Sequence, residues 1–236
     1  MSSLNFIGGE KGGVGKSVTA RVLAQYFIDK GQAFTGFDTD RSHHSFTRFY
    51  AGYASPVVVD SYEGLDLVVD AFEADPDQNV IVDLAAQTLA PISRWVHDSQ
   101  LIAVLGELGI AVNFWHVLDD GRDSVTLLDK LIDTFGSPAT TGASPNYIVV
   151  QNHGRGSDFS CLTESAALAK ARGAGARMIN LPALQDASMR KIDHQSASFW
   201  SAINNREGDD ILGLLERQRV KMWLQKAYAE LDSLPL

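Results

Sequence analysis

One short segment constrains this chain more than any other: Gly12, Gly13, Val14, Gly15, Lys16 and Ser17, set between the apolar run LNFIGG and an amphipathic stretch from Lys16 to Lys30. Three glycines in six residues remove the Cβ atoms that would block a close approach, so successive backbone N–H groups can converge on an anion. A helix beginning directly behind the turn adds its positive N-terminal end. Lys16 supplies a point charge and Ser17 a hydroxyl in the first helical turn, with Val18 next to it. Strand, glycine turn, Lys-Ser and helix in this order suit a nucleotide triphosphate with its Mg²⁺: N–H groups for phosphate oxygens, lysine for the β- and γ-phosphates, hydroxyl for the metal. The segment therefore reads as a P-loop that binds ATP.

The rest of the chain continues the same strand–helix alternation. Apolar runs LNFIGG, AFTGFD, NVIVDL, GIAVNF, NYIVVQ and ARMINLP predict strands. Helices are predicted at Lys16 to Lys30, Leu65 to Ala74, Leu89 to Ser99, Arg122 to Phe135, Leu162 to Arg172, Ala187 to Ile203 and Asp209 to Leu231. The last carries Leu212, Leu215, Val220, Trp223, Leu224, Ala227 and Leu231, read as one apolar face. The stretches GSPATTGASPN and NNREGDD read as connections. The expected fold is α/β, a doubly wound and mainly parallel sheet flanked by helices, forming one domain over residues 1–236. With 45% apolar and 21% charged residues, a chain of this length buries a substantial core.

What lies beside the glycine turn narrows the family. Glu10 stands where the ordinary P-loop has a glycine, and Lys11 precedes GGVGKS. This resembles the deviant Walker A motif of the ParA/MinD superfamily, whose resemblance implies that Lys11 acts as the signature lysine, reaching the partner's nucleotide in an ATP-sandwich dimer. Glu10 beside phosphates would repel them, so its side chain is expected to point away. Asp38-Thr39-Asp40 is similar to the family's switch I, which implies Asp38 near Mg²⁺ and Asp40 as the residue that orients the attacking water; plain strand-end carboxylates are the alternative. Asp83, after three apolar strand residues, matches the Mg²⁺-holding Asp of switch II. Two departures stand out. Arg41-Ser42 replace Pro-Gln after switch I, and Ala86-Gln87 replace the glycine-containing end of D-x-P-A-G, so γ-phosphate sensing is altered and turnover slow. Gln87 either positions water or simply starts a helix. Asn152 and Pro182 match the two segments that contact the adenine, although both are also ordinary turn residues at strand ends.

The resemblance implies a Mg²⁺-dependent ATPase, stimulated by a protein partner and dimeric with ATP, acting in DNA partition, plasmid maintenance or transfer, or cargo positioning. AQYFIDKGQ and the DTD also look like relatives encoded by conjugative plasmids. The rivals are a P-loop metabolic enzyme of the dethiobiotin or amide-synthase type, and an ATP-binding switch that does not hydrolyse. Cys161 alone cannot furnish an iron–sulfur cluster, and His43-His44 lack a third ligand for zinc. One cysteine, no signal-like N-terminus and no run of ~18 apolar residues point to the cytoplasm, with no membrane partner. Residues 1–150 carry a net −10 and residues 151–236 a net +1. DNA is left open; if bound, it uses Arg and Lys of the second half, with ATP and with steep salt dependence. The final helix is expected to pack on the sheet.

Overall fold

The protein is described by a computed structural model covering residues 2–136, 143–208 and 211–236. Strand β1 (Ser3–Gly8) leads into α1 (Lys16–Lys30), β2 (Phe34–Asp38), β3 (Ala54–Pro56), α2 (Tyr62–Ala74) and β4 (Asn79–Asp83). Then come α3 (Leu89–Asp98), α4 (Leu101–Glu107), β5 (Ala111–Leu118), α5 (Arg122–Phe135) and β6 (Asn146–Asn152). The chain finishes with α6 (Ser160–Thr163), α7 (Ala166–Gly173), β7 (Arg177–Leu181), α8 (Asp186–His194), α9 (Phe199–Asn204) and α10 (Leu214–Leu231).

The strands form one seven-stranded sheet in the order β3-β2-β4-β1-β5-β6-β7, and every pairing is parallel. Parallel strands are covered on both faces, which explains why NVIVD in β4 is buried at all five positions. One apolar layer joins the sheet to α2, α3, α5 and α7. The other joins it to α1, α9 and α10. Because β1 has β4 on one side and β5 on the other, the direction of winding reverses there, and the crevice beyond its carboxyl end is where α/β folds place ligands.

Near the opposite, amino ends of the strands, a chain of amides and one hydroxyl, buried except at Asn146, crosses four neighbouring strands. Ser3 Oγ donates to Asn79 Oδ1 at 2.8 Å, and Asn5 Nδ2 donates to Ser3 Oγ at 2.8 Å and to the Val80 carbonyl at 3.2 Å. Asn5 Oδ1 accepts from Asn113 Nδ2 (2.9 Å) and from Trp115 Nε1 (3.1 Å), while Asn146 Nδ2 donates to Asn113 Oδ1 (2.9 Å).

Several sequence expectations need correction. Strand β3 is absent from them, being three residues long, at the edge and ending in proline. The helix expected over Leu162 to Arg172 is two, because Ser165 caps a fresh start by accepting from Leu168 N–H. That over Ala187 to Ile203 breaks where Ser196 takes a left-handed φ of 51° and Ser198 caps α9. A separate α4 follows α3. Residues 137–142 of the expected loop, and Asp209 and Asp210 of the expected last helix, lie outside the described residues. Leu215 does not join the packed face of α10: it sits five residues, roughly 140° round the axis, before Val220 and is 68% exposed. Among the described residues no helix is long and apolar enough to cross a membrane.

Candidate nucleotide-binding site

The turn between β1 and α1 has the conformation its glycines permit. Gly13 (φ 80°) and Gly15 (φ 103°) occupy the left-handed region, and nothing lies within 4 Å of where a Cβ on Gly12 or Gly13 would stand. Open space over backbone N–H groups at the start of a 15-residue helix is what a phosphate chain needs. Gly9, absent from the sequence reading, is equally fixed: φ is 138° and a Cβ would collide with the Val117 carbonyl of β5. Val14 is buried and Val18 partly buried in the layer beneath, which anchors the turn from below.

Lys16 is 7% exposed, and its ammonium has one hydrogen bond, donated to the Lys11 carbonyl at 3.0 Å. Burial lowers its pKa, and the charges of Asp83, Glu10 and Asp40 counter that. Asp83, at the end of β4, is buried with both carboxylate oxygens lacking a hydrogen-bond partner among the described residues. Burial pushes its pKa up to about 7, helped by Asp38 and Asp40, while the Ser17 hydroxyl and the Lys16 ammonium beside it pull the other way. Ser17 stands beside this carboxylate without closing a hydrogen bond to it. A buried, unpartnered carboxylate facing a hydroxyl and a lysine fits a divalent cation held by Ser17, Asp83, phosphate oxygens and water. No group of three or more His, Cys, Asp or Glu side chains poised for a metal occurs among the described residues, so such an ion would depend on the nucleotide for much of its shell.

The two aspartates after β2 serve differently. Asp38, expected at the metal, has its carboxylate occupied by three backbone N–H groups: Asp40 (3.0 Å) on one oxygen, Phe46 (2.8 Å) and Thr47 (3.0 Å) on the other. These bonds fold the switch loop around Asp38 and leave one acceptor site, on the oxygen that takes the Asp40 N–H. Asp40 is half-buried at the rim. Burial raises its pKa, but N–H donors from Ser42 and His43 and the His43 ring outweigh that and hold it below the usual value. Thr39, between them, was not singled out by its sequence position alone. Its N–H and hydroxyl both donate to the Asp83 carbonyl at 3.0 Å, and its hydroxyl accepts from Ala85 N–H at 2.7 Å, tying the two switch segments together.

No protein-family model matches the chain. MinD of Aquifex aeolicus superposes over 99% of this chain and 99% of its own, with a TM-score of 0.55 at 14% identity. This is a MinD-type P-loop fold. A nucleotide-binding protein of Archaeoglobus fulgidus in complex with ADP shares it over 88% of this chain and 90% of its own, with a TM-score of 0.51 at 14% identity. In sequence, the chain is similar to protein TraL of Escherichia coli, 24% identical over 99% of this chain and 98% of the relative. Protein MobD of Acidithiobacillus ferrooxidans is 27% identical over 56% of this chain and 58% of its own length.

Within the MinD-type fold, the departures noted in the sequence acquire physical content. Glu10 turns away from the glycine turn, and its carboxylate accepts from Leu89 N–H at 2.7 Å, capping α3. Gln87, at the position of the motif's glycine, holds a left-handed φ of 64°, a conformation that glycine adopts more readily than glutamine. Lys11 is held within its own chain: Nζ lies 2.7 Å from Asp119 Oδ2, just beyond β5, and this hydrogen bond is the main reason its pKa is raised. Asn152 donates to the Val14 carbonyl at 2.7 Å and accepts from Gly154 N–H at 3.0 Å, which ties β6 to the phosphate turn and leaves one N–H and one lone pair for a base. Pro182 is fixed by Trp223 of α10, whose Nε1 donates to its carbonyl at 2.6 Å.

Proposed function

We propose that the chain is a Mg²⁺-dependent, ATP-binding and ATP-hydrolysing switch that dimerises with ATP and is triggered by a protein partner. The carrying observation is the open glycine cradle backed by a buried Lys16 and an unpartnered Asp83. The cradle N–H groups and Lys16 bind the triphosphate, and Ser17 and Asp83 hold Mg²⁺. When bound, that ion neutralises charge building on the γ-phosphate. Asp40, at the exposed rim and kept ionised, orients the attacking water. Lys11 acts across the dimer once it leaves Asp119. Asn152 and Pro182 flank the adenine. The full-length likeness to the TraL proteins supports a role in plasmid transfer or maintenance. The site of action we propose is the cytoplasm. The structure of Aquifex MinD with MinC supports a protein partner.

Calorimetry with ATP, followed by phosphate release, tests the reading. Lys16→Ala loses nucleotide affinity by at least tenfold, since charge-assisted bonds to phosphate are each worth about 1.5–3 kcal/mol. Lys11→Ala retains binding by the monomer and loses ATP-dependent dimerisation in light scattering. Unchanged affinity in the first variant sinks the cradle, and unchanged dimerisation in the second sinks the sandwich. Binding without phosphate release, with candidate partners present, would establish the non-hydrolysing form, for which the glycine lost at Gln87 is the specific indication.

A further inference from the structure

The outward face of α10 repeats its chemistry at seven-residue spacing. Leu215 and Met222 are 68% and 45% exposed, and between and beyond them Arg219 and Lys226 are exposed too. Positions 215, 219, 222 and 226 fall on one stripe of a helix, about 17 Å long at 1.5 Å per residue. Beside this stripe lies the loop after β7, and the two enclose a groove of about 380 Å³ floored by Leu184, Met222 and Trp223. No Asp or Glu lines it. Among the described residues neither Arg219 nor Lys226 has a hydrogen-bond or salt-bridge partner, in contrast to Lys191, which is paired with Glu216 at 2.8 Å. Two cations about 10.5 Å apart along the helix axis, neither in a salt bridge, therefore alternate with two exposed apolar side chains.

We propose that this groove docks a short acidic amphipathic helix of a protein partner, about three turns long, with apolar residues at seven-residue spacing and carboxylates at the same spacing beside them. Charge complementarity selects the acidic sign, because a carboxylate buried against Arg219 or Lys226 meets a cation that makes no hydrogen bond or salt bridge among the described residues, the Arg219 charge acting only at longer range on Glu216. The apolar floor selects a side-chain-bearing helix over a nucleic acid. A phosphate backbone would meet two cations and leave Met222, Leu184 and Leu215 in contact with charge, and the chain's net charge of −9 gives duplex DNA no general attraction. The seven-residue repeat matches the period at which two helices lie side by side.

The test uses the full chain and a fluorescent 18-residue helical peptide carrying Leu and Glu at this spacing, with a twin in which every Glu is Lys. Anisotropy should show the acidic peptide binding at least tenfold more tightly than its twin. An Arg219→Glu/Lys226→Glu variant should invert that preference, and Met222→Asp should weaken the acidic peptide at least fivefold. These positions are exposed, and unchanged thermal unfolding confirms that the variants fold. The proposal fails if the two peptides bind alike or not at all. It also fails if a 30-base-pair duplex, or phosphatidylglycerol vesicles, bind through Arg219 and Lys226 while the acidic peptide does not. None of these readings needs nucleotide, so the groove can fail without touching the ATP assignment, and the reverse.

Discussion

Asp83 is an unfavourably placed side chain, buried with neither carboxylate oxygen hydrogen-bonded among the described residues. Its folded pKa is raised to about 7 from an ordinary 3.8, chiefly by burial. The folded state thus holds a proton that the unfolded state releases, and the penalty is absent below pH ~4, grows as pH rises towards 7 and is constant above. Its limiting size is on the order of 4 kcal/mol. Asp83→Asn should remove this slope: without nucleotide, the variant gains stability over the parent as pH rises from 4 to 7, by urea titration at several pH values. The same variant should lose the Mg²⁺ enhancement of ATP affinity, because a neutral amide is a poor ligand for a hard cation. Gln87 is a second strained residue, since its left-handed φ of 64° suits glycine. Gln87→Gly should raise the unfolding free energy by about 1 kcal/mol, read as a higher urea midpoint with the slope unchanged. If the glycine's freedom to swing is what this chain lacks, phosphate release also becomes faster.

Elements set how these residues meet. The loop after β5 holds Lys11 through Asp119, whose carboxyl is raised by burial but brought net below its usual value by the Lys11 and Ser124 side chains and Gly121 N–H. A lowered acid pKa keeps the clasp closed at neutral pH and opens it only as pH falls through that lowered value. Asp119→Asn should therefore release Lys11 and bring ATP-dependent dimerisation to several-fold lower protein concentration at pH 7, opposite in direction to Lys11→Ala and read by the same light scattering. Much of this scaffold is legible in the sequence. Helix α1 and helix α5 run as predicted, because a Gly-rich start and Gly31 bound the one and a strong apolar stripe marks the other. What escapes is non-local. The breaks depend on side-chain caps at Ser165 and Ser198, and most serines in a sequence make no such cap. Gly9 is required because Val117, far along the chain, passes over it, and one oxygen of the Asp38 carboxylate accepts from N–H groups eight and nine residues on. The glycine cradle was readable since its chemistry is local; the occupancy of each carboxylate was not.

At the scale of the whole molecule, a sheet with no hairpin needs something besides turns to fix its register, and the buried amide chain from Asn79 through Asn5 to Asn113 and Asn146 supplies it. Asn5→Leu should destabilise the protein by about 2–4 kcal/mol, since the Asn113 amide and the Trp115 indole are left unpaired where no water reaches. Pairing it with Asn113→Leu should return part of that loss, a coupling measurable by a double-mutant cycle in urea. The same chain has a meaning in time. Asn5 must wait for Val80, 75 residues on, and for Asn113, 108 residues on, before its side chain is satisfied on either flank. At a synthesis rate of about 5–20 residues per second, that is an interval of roughly 5–20 s. Until β4 is made the strand bearing the phosphate turn has no neighbour, and until β5 is made it has only one of two, so the nascent chain should stay sensitive to protease at β1 until β5 has left the ribosome.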